Sequence, residues 1–291
     1  MQTLRKPDWI RTKLPGFGAY PEVRRVLRRH SLHTVCEEAL CPNLGECWGG
    51  GTATIMILGD ICTRGCRFCA VKTGHPNGLV DYDEPENVSR AVEEMNLKYV
   101  VLTSVCRDDL PDGGASIYAE TVKKIKQRRS DVLVEVLIPD FNGVEEHVKT
   151  VVDAGPDVVA HNVETVRRLT PMVRDRRASF DQSLQVLKLV KKLNPKIFTK
   201  SSIMVGLGES VEEVLEALAE LRSVDVDFVT VGQYLRPTMS HVPVKEYVHP
   251  KVFKMYEEEA LKMGFKYAAC GPMVRSSYRA GEFFLMSVLR S

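Results

Sequence analysis

Short runs of β-branched and apolar residues alternate with longer amphipathic stretches from residue 54 onward. The runs that predict strands are 54–58, 99–103, 132–138, 157–161, 197–204 and 228–232. The stretches with apolar residues at helical spacing are 86–96, 116–129, 144–154, 180–193 and 211–223. Such strict alternation predicts an α/β fold with a parallel sheet and right-handed crossovers.

The number of repeats limits the architecture. Six strand–helix units are too few to close an eight-stranded barrel, so the pattern predicts an open, partial (β/α)6 barrel over residues 54–248. Residues 1–53 then form an N-terminal extension and residues 249–291 a C-terminal extension. In barrels of this kind the functional site lies at the carboxyl ends of the strands.

Composition narrows the class of protein. The 291 residues are 44% hydrophobic and 27% charged, with a net charge of +2, which is typical of a soluble domain with a full core. The small net charge predicts neither nucleic acid nor a membrane as a partner. The chain also has no stretch of about twenty apolar residues, so the sequence predicts no membrane span. Residues 1–11 lack the apolar core of a secretory signal or a transit-like segment, so we expect a cytoplasmic location.

Six of the eight cysteines lie close together in two triplets of unequal spacing. The triplets are Cys36-x4-Cys41-x5-Cys47 and Cys62-x3-Cys66-x2-Cys69. In a reducing compartment such clusters are metal ligands rather than a disulfide framework. The second triplet follows the first predicted strand, which puts it at the functional end of the barrel.

Three thiolates at this spacing are typical ligands of an iron–sulfur cluster, and they leave one of four irons open to another ligand. Structural zinc is the alternative, but zinc sites usually combine two close pairs into a closed set of four ligands. Two unequal triplets therefore favour iron–sulfur clusters. Cys106 and Cys270 stand alone in the sequence and are interpreted as packing residues.

The Cys-x3-Cys-x2-Cys loop after a first barrel strand resembles the signature of the radical S-adenosylmethionine (SAM) superfamily. The resemblance implies that Cys62, Cys66 and Cys69 hold a [4Fe–4S] cluster whose open iron binds SAM. One electron from that cluster then cleaves SAM to a 5′-deoxyadenosyl radical. A cofactor must supply such a radical because acid–base chemistry does not attack an unactivated C–H bond.

The remaining motifs are similar to those of the lipoyl synthase family. They are the first triplet, the segments 103–114, 161–165, 200–209 and 232–238, and Arg275-Ser-Ser-Tyr-Arg-Ala280. The resemblance implies that the first triplet holds an auxiliary [4Fe–4S] cluster with Ser276 as its fourth ligand, and that this cluster donates sulfur. The alternative for Ser276 and Ser277 is a helix cap. One departure is Cys106, where the family typically carries aspartate.

The resemblance also implies an activity and partners. The chain would insert two sulfur atoms at C6 and C8 of an octanoyl-lysine on a lipoyl carrier domain, either a 2-oxoacid dehydrogenase E2 or a glycine cleavage H protein. A ferredoxin or flavodoxin would supply electrons. Two alternatives are another two-cluster radical enzyme, such as a methylthiotransferase, and a non-enzymatic iron–sulfur carrier or zinc scaffold.

Polar residues and glycines after the predicted strands are candidate SAM contacts. We expect Gly113 and Gly114 near the amine, Asn162 and Glu164 near the ribose, and Gly206, Gly208 and Glu209 near the adenine. Turn formation is the alternative for the glycines. Two arginine-rich runs, at residues 24–30 and 167–177, are candidate docking sites for an acidic carrier domain, the alternative being solvated helix faces.

Overall fold

The fold is centred on one parallel sheet, seen in a computed structural model that describes residues 4–12 and 15–277. Within these residues there are ten strands in chain order. They are β1 (His33–Thr34), β2 (Thr54–Ile57), β3 (Ile61–Cys62), β4 (Lys72–Thr73), β5 (Tyr99–Ser104), β6 (Leu133–Leu137), β7 (Val158–Ala160), β8 (Phe198–Val205), β9 (Phe228–Gln233) and β10 (Tyr267–Gly271).

Helices connect the strands and cover the sheet. The α-helices of the described residues are α1 (Tyr20–Arg29), α2 (Val35–Glu38), α3 (Leu44–Gly49), α4 (Glu84–Glu94), α5 (Ala115–Arg128), α6 (Glu145–Asp153), α7 (Thr170–Val173), α8 (Phe180–Leu193), α9 (Val211–Ser223) and α10 (Pro250–Lys262). Short 3₁₀ turns occupy Phe141–Gly143 and Arg167–Leu169. In this part of the chain, no helix has the length and apolar content needed to cross a membrane.

Eight of these strands form the sheet, in the order β1-β2-β5-β6-β7-β8-β9-β10. All neighbours are parallel except β1 and β2, which are antiparallel. The end strands β1 and β10 do not pair with each other among the described residues, so the barrel is open, and the prediction of a partial barrel is confirmed. Every predicted strand and helix is present, with ends that differ by at most two residues.

Several elements were not predicted. Strand β1 has only two residues, too few for an alternating pattern, and it pairs through His33 and Thr34 with Met56 and Ile55 of β2. Helix α10 and strand β10 fall in the predicted C-terminal extension, yet they continue the main sheet as its sixth crossover helix and seventh parallel strand. The unit β9-α10-β10 therefore completes six strand–helix–strand crossovers.

The core explains why these residues form strands. The parallel strands are buried along most of their length, as expected for a sheet covered on both faces, and all six residues of β9 are buried. The sheet also buries a charged pair: the Lys200 ammonium donates to both carboxylate oxygens of Glu135, at 2.9 and 3.0 Å. The Tyr99 hydroxyl also donates to Glu135. A buried ion pair is tolerated when its hydrogen bonds are satisfied in this way.

The amino ends of the strands carry a repeated polar pairing. Lys126 of α5 donates to the Val132 carbonyl at 2.9 Å and to Asp157, which precedes β7. Two crossovers later, Lys191 of α8 donates to the Ile197 carbonyl at 2.9 Å and to Asp227, which precedes β9. Each aspartate also accepts a backbone N–H from the strand beside it. These pairs fasten each helix end to the start of two strands.

Candidate active site

The carboxyl ends of the strands surround a cavity of about 370 Å³. Its walls include residues that follow β2, β5, β6, β7 and β9, together with residues 202–204 within β8. All six clustered cysteines line it, from the N-terminal segment and from the loop after β2. Ser276 and Ser277 line it as well, from a turn after β10. One cavity thus brings together both cysteine triplets and the predicted serine ligand.

The loop that carries the second triplet is held from three sides. Strands β3 and β4 close its base as a short parallel pair. From the segment after β7, Asp175 accepts the Gly65 N–H at 2.9 Å, and the Val173 carbonyl accepts the Arg67 N–H at 2.9 Å. From the segment after β9, His241 Nε2 lies 3.0 Å from the Cys69 carbonyl oxygen. These contacts fix the backbone of the loop without using its thiols.

The thiols of this loop respond differently to their surroundings. Burial raises the pKa of Cys66 to about 11 and that of Cys69 to about 12. A side-chain hydrogen bond from Cys106 is the main cause that lowers the pKa of Cys62 to about 6. A buried thiolate needs a nearby positive charge, because low-dielectric surroundings disfavour the ionised form. Iron would supply that charge and displace the protons.

Arg64 stands between Cys62 and Cys66 and was not predicted to have a role. Its buried guanidinium donates two hydrogen bonds to Asp108, at 2.8 and 3.0 Å, and one to Asp140 at 2.6 Å. Burial alone would raise the pKa of Asp108, but hydrogen bonds from Arg64 and Thr63 more than offset it and lower the pKa to about 2. The network ties the loop of the second triplet to the ends of β5 and β6.

The first triplet is presented by α2, α3 and the turn between them. Thr34 begins α2 as an N-cap, since its hydroxyl accepts the Glu37 N–H. Cys36 is buried, and burial raises the pKa of its thiol to about 11. Cys41 donates its backbone N–H to the Cys36 carbonyl at 3.0 Å, which folds the turn so that both thiols line the same cavity.

The turn after β10 lies against the first triplet. The Asn43 amide donates to the Met273 carbonyl at 2.6 Å and joins residues 230 positions apart. Gly232 at the end of β9 makes this approach possible, because a Cβ there would lie 2.1 Å from the Val274 carbonyl oxygen. The serines of the motif are thereby held at the cavity. Tyr278 and the residues after it lie outside the described residues.

Arg275 brings a positive charge to the same wall. Its guanidinium donates to the Val274 carbonyl at 2.6 Å and to the Pro272 carbonyl at 3.4 Å. Burial lowers the pKa of this guanidinium, and the Cys41 thiol is the charge partner that opposes the shift. Among residues 4–12 and 15–277 no carboxylate pairs with it. A buried cation without a carboxylate favours an anionic group beside Cys41.

Two of the predicted SAM contacts line the cavity at the end of β7. The Asn162 amide donates to Glu164 at 3.2 Å, while its buried Oδ1 atom accepts no hydrogen bond from the described residues. Burial raises the pKa of Glu164. Glu164 has a φ of 68°, a strained backbone conformation that often marks a functional site. An unsatisfied acceptor and a buried carboxyl at the cavity are suited to bind a ligand with hydroxyl or ammonium groups.

The remaining predicted contacts lie outside the lining of this cavity, and their role in SAM binding stays a prediction. A Cβ at Gly114 would lie 2.3 Å from Leu58, so this glycine serves close packing. Gly113 borders a second, smaller cavity. Glu209 accepts the N–H groups of Gly206 and Leu207 and closes the turn after β8. Gly208 has a φ of 108°, in the range that favours glycine.

His161 is engaged inside the protein, whereas only Arg174 of the second arginine-rich run is buried. The imidazole of His161 lies 2.9 Å from both the Ile138 carbonyl and the Ser183 hydroxyl, and burial lowers its pKa to about 4. Arg174 is buried and donates to Ser183 at 2.8 Å. Arg167 and Arg168 form ion pairs with acidic side chains of neighbouring helices. These ion pairs lie at the surface, and Arg176 is exposed without an ion pair to the described residues.

The donor set fits iron–sulfur chemistry. All eight cysteines are free thiols, and six of them line one cavity in two groups of three. Within the residues that the structure describes, no three His, Cys, Asp or Glu side chains are arranged around a single metal ion. The fit therefore depends on the number and type of donors, which match two clusters with three thiolate ligands each.

Comparison with known proteins agrees with this site. The radical SAM superfamily matches residues 56–221, and the N-terminal domain of lipoyl synthase matches residues 1–41. A lipoyl synthase of Thermus thermophilus is 57% identical over 285 residues, covering 98% of this chain and 88% of that protein. The chain belongs to the lipoyl synthase family. It is therefore a radical SAM enzyme, and that superfamily implies a [4Fe–4S] cluster and SAM.

Other relatives extend the comparison. An apicoplast lipoyl synthase of Plasmodium knowlesi is 54% identical over 285 residues, which are 98% of this chain but only 64% of that protein. The FeFe-hydrogenase maturase HydG of Carboxydothermus hydrogenoformans has a TM-score of 0.57 at 14% identity, covering 92% of this chain and 78% of that one. Identity this low supports a shared radical SAM fold and nothing further.

Proposed function

We propose that this chain inserts two sulfur atoms, at C6 and C8, into an octanoyl group carried on a protein lysine. Two C–H bonds are broken and two C–S bonds are formed, with one SAM consumed for each hydrogen removed. When bound at Cys62, Cys66 and Cys69, a [4Fe–4S] cluster supplies the electron that generates the radical from SAM. An auxiliary cluster held by Cys36, Cys41, Cys47 and Ser276 would be the sulfur source.

One observation carries this proposal: both triplets and Ser276 line the same cavity. A carbon radical reacts with any nearby group, so the hydrogen-abstracting site and the sulfur source must share one enclosed space that excludes water. The walls are mainly apolar, with Phe68 and Met204 among them, which suits an octanoyl chain. Two clusters on separate surfaces would not support insertion into one substrate.

Ser276 and Arg275 give the first triplet its own chemistry. A hydroxyl oxygen is a harder ligand than a thiolate and binds iron of a sulfur-rich cluster less strongly, so the iron beside Ser276 would be lost first. The Arg275 guanidinium would balance the negative charge of a cluster bound at Cys41. Both features suit a cluster that is dismantled during turnover, and neither is needed at the second triplet.

The substrate is proposed to be a lipoyl carrier domain, with a ferredoxin or flavodoxin as electron donor. An acidic carrier would dock near exposed basic residues. Arg24 of α1 is exposed and forms no ion pair with the described residues, while Arg28 and Arg29 pair with Glu37 and Glu94. Arg176 of the second run is likewise exposed and forms no ion pair with the described residues, so both arginine-rich runs stay docking candidates. The cytoplasmic location stays a prediction.

The experiment compares metal content and turnover in four proteins reconstituted without oxygen. We expect about eight iron and eight sulfide per chain in the wild type and about four in Cys41→Ala and in Cys66→Ala. Cys41→Ala should still cleave SAM to 5′-deoxyadenosine but form no C–S bond on an octanoyl-lysyl peptide. Cys66→Ala should do neither. Cys270→Ala is the matched control, because Cys270 lies outside the cavity lining, and it should behave as the wild type.

Sulfur insertion by Cys41→Ala, or about four irons in the wild type, would contradict the auxiliary cluster as the donor. Transfer of a methylthio group to RNA or protein in place of insertion into the octanoyl peptide would support the methylthiotransferase alternative. Zinc in place of iron in the wild type would support the alternative of a zinc-stabilised structural scaffold. Each of these results is distinguishable in the same set of samples.

A further inference from the structure

Cys106 has no role in the proposed reaction, yet it contacts one of the proposed cluster ligands. It follows β5, and its backbone N–H donates to Cys62 Sγ at 3.3 Å. Its carbonyl accepts the Thr63 N–H at 3.0 Å and the Thr63 hydroxyl at 2.9 Å. Two segments 44 residues apart in sequence are thus fixed against each other at one ligand of the second triplet.

The side chain of Cys106 also interacts with this ligand. The Cys106 thiol is the largest influence on the Cys62 thiol, whose pKa it lowers. When Cys62 holds iron its sulfur is a thiolate, and a thiolate accepts hydrogen bonds but cannot donate them. The Cys106 thiol must then be the donor. Cys62 Sγ also accepts two backbone N–H groups, from Cys106 at 3.3 Å and from Arg64 at 3.4 Å.

The charged groups around Cys106 already carry a net negative charge without it. The nearest cation is Arg64, whose guanidinium pairs with the carboxylates of Asp108 and Asp140. A neutral thiol at position 106 leaves one arginine with two carboxylates. An aspartate, which the family typically carries here, would add a third negative charge beside Cys62. Cysteine and aspartate at position 106 should therefore have opposite effects on the reduction potential of a cluster at this site.

Cys106 also forms part of a wall. It lines the main cavity and, together with Arg64 and Pro139, a second cavity of about 230 Å³ that reaches Asn142 and His147. A smaller side chain at this position would enlarge the space for water beside Cys62, which itself lines the main cavity. Solvent exposure is one of the properties that set the potential of an iron–sulfur cluster.

We propose that Cys106 is a positioning residue that raises the reduction potential of the cluster at Cys62, Cys66 and Cys69. Its backbone N–H and thiol donate hydrogen bonds to Cys62 Sγ, and they stabilise the electron-rich reduced form of the cluster. The neutral thiol avoids the negative charge that would oppose reduction. This inference rests on the radical SAM cluster alone and does not depend on the proposed sulfur insertion.

The test is a redox titration followed by electron paramagnetic resonance on reconstituted protein. The signal that changes on adding SAM identifies the cluster with the open iron. In Cys106→Asp we expect the equilibrium constant for reduction to fall about tenfold, which is about 59 mV for a one-electron couple. Cys106→Ser retains a donor and should stay near the wild type. Cys106→Ala keeps only the backbone donor and should lie between them.

A purely structural role would change the iron content of these variants without moving the potential of the cluster that remains. Potentials of Cys106→Asp and Cys106→Ala equal to the wild type would overturn the proposal. If Cys106→Asp does not fold, the comparison of Cys106→Ser with Cys106→Ala decides the matter, because only the hydroxyl can donate. Cys270→Ala, at a distant thiol, controls for loss of a cysteine.

Discussion

The two ends of this barrel differ in whether their buried polar groups have partners within the protein. At the amino ends of the strands, Asp157 and Asp227 each accept a lysine ammonium and a backbone N–H. At the carboxyl ends, Asn162 Oδ1 accepts no hydrogen bond from the described residues, and Arg275 has no carboxylate partner there. The amino end satisfies these polar groups within the fold, whereas the carboxyl end leaves these two polar groups for a ligand, although Arg64, Asp108 and Asp140 are paired there.

The pKa values show the same contrast. Burial alone would raise the pKa of Asp227, but hydrogen bonds from Lys191 and Lys266 lower it. Burial raises the pKa of Glu84 to about 7, although the Leu58 N–H donates to it at 2.7 Å. In the described part of the chain, no lysine or arginine pairs with Glu84. A carboxylate paired with a cation stabilises a fold, whereas one without a cation costs stability when ionised.

The largest expected effect comes from breaking a pair at the amino ends. Asp227→Ala should lower the free energy of unfolding by about 3 kcal/mol, because it leaves the Lys191 ammonium with one carbonyl and the Thr199 N–H without an acceptor. Urea unfolding of the reduced apo-protein measures it. Asp157→Ala, at a less buried copy of the same pairing, should cost less. The exposed Asp153→Ala should change little, and equal losses in all three would refute the contrast.

The next effect concerns pH at the opposite end. Between about pH 4.5 and 7 the folded state holds a proton on Glu84 that the unfolded state has released, so stability from this group falls as pH rises. The free energy of unfolding of the wild type should fall by about 3 kcal/mol relative to Glu84→Gln over this window. Urea unfolding at pH 5, 6, 7 and 8 measures the difference. A constant difference would show that Glu84 titrates at its ordinary pKa.

The smallest expected effect is on SAM affinity, and it compares a buried hydrogen-bond acceptor that lines the cavity with one that does not. Asn162→Ala should weaken SAM binding about tenfold, or about 1.4 kcal/mol, with little change in apo-protein stability. Thr165 also has a buried oxygen without a partner in the described residues, but it does not line the cavity. Thr165→Val should therefore leave SAM affinity unchanged. Calorimetric titration of both reconstituted variants with SAM measures the two affinities. Equal affinities for the two variants would show that Asn162 does not contact SAM.

The repeating strands could be predicted because their signal is local. Residues 99–103 and 228–232 are apolar and β-branched enough to show in any short window. The two-residue strand β1 and the small residues Ala268, Ala269 and Gly271 of β10 give no such signal, since pairing with a neighbour makes them strands. The central strands could therefore be predicted from local sequence, whereas the edge strands form only because they pair with a neighbouring strand.

The site divides in the same way. The two triplets were visible because cysteine spacing is a chemical signal in itself. The Arg64 network joins residues 44 and 76 positions apart, and nothing in the sequence near Arg64 distinguishes it from an exposed arginine. The Asn43–Met273 hydrogen bond and the contact of Cys106 with Cys62 are of the same kind. Such contacts depend on the relative positions of loops, which only the fold determines.

The hydrogen bond from Asn43 to Met273 has a consequence for biosynthesis. The ribosome makes the first triplet early and the turn bearing Ser276 more than 200 residues later. Until that turn emerges, Asn43 lacks its partner, and the pocket around Cys36, Cys41 and Cys47 has no outer wall. If these thiols hold the proposed cluster, its pocket would be complete only after the turn is translated, and the three thiols would be more exposed until then.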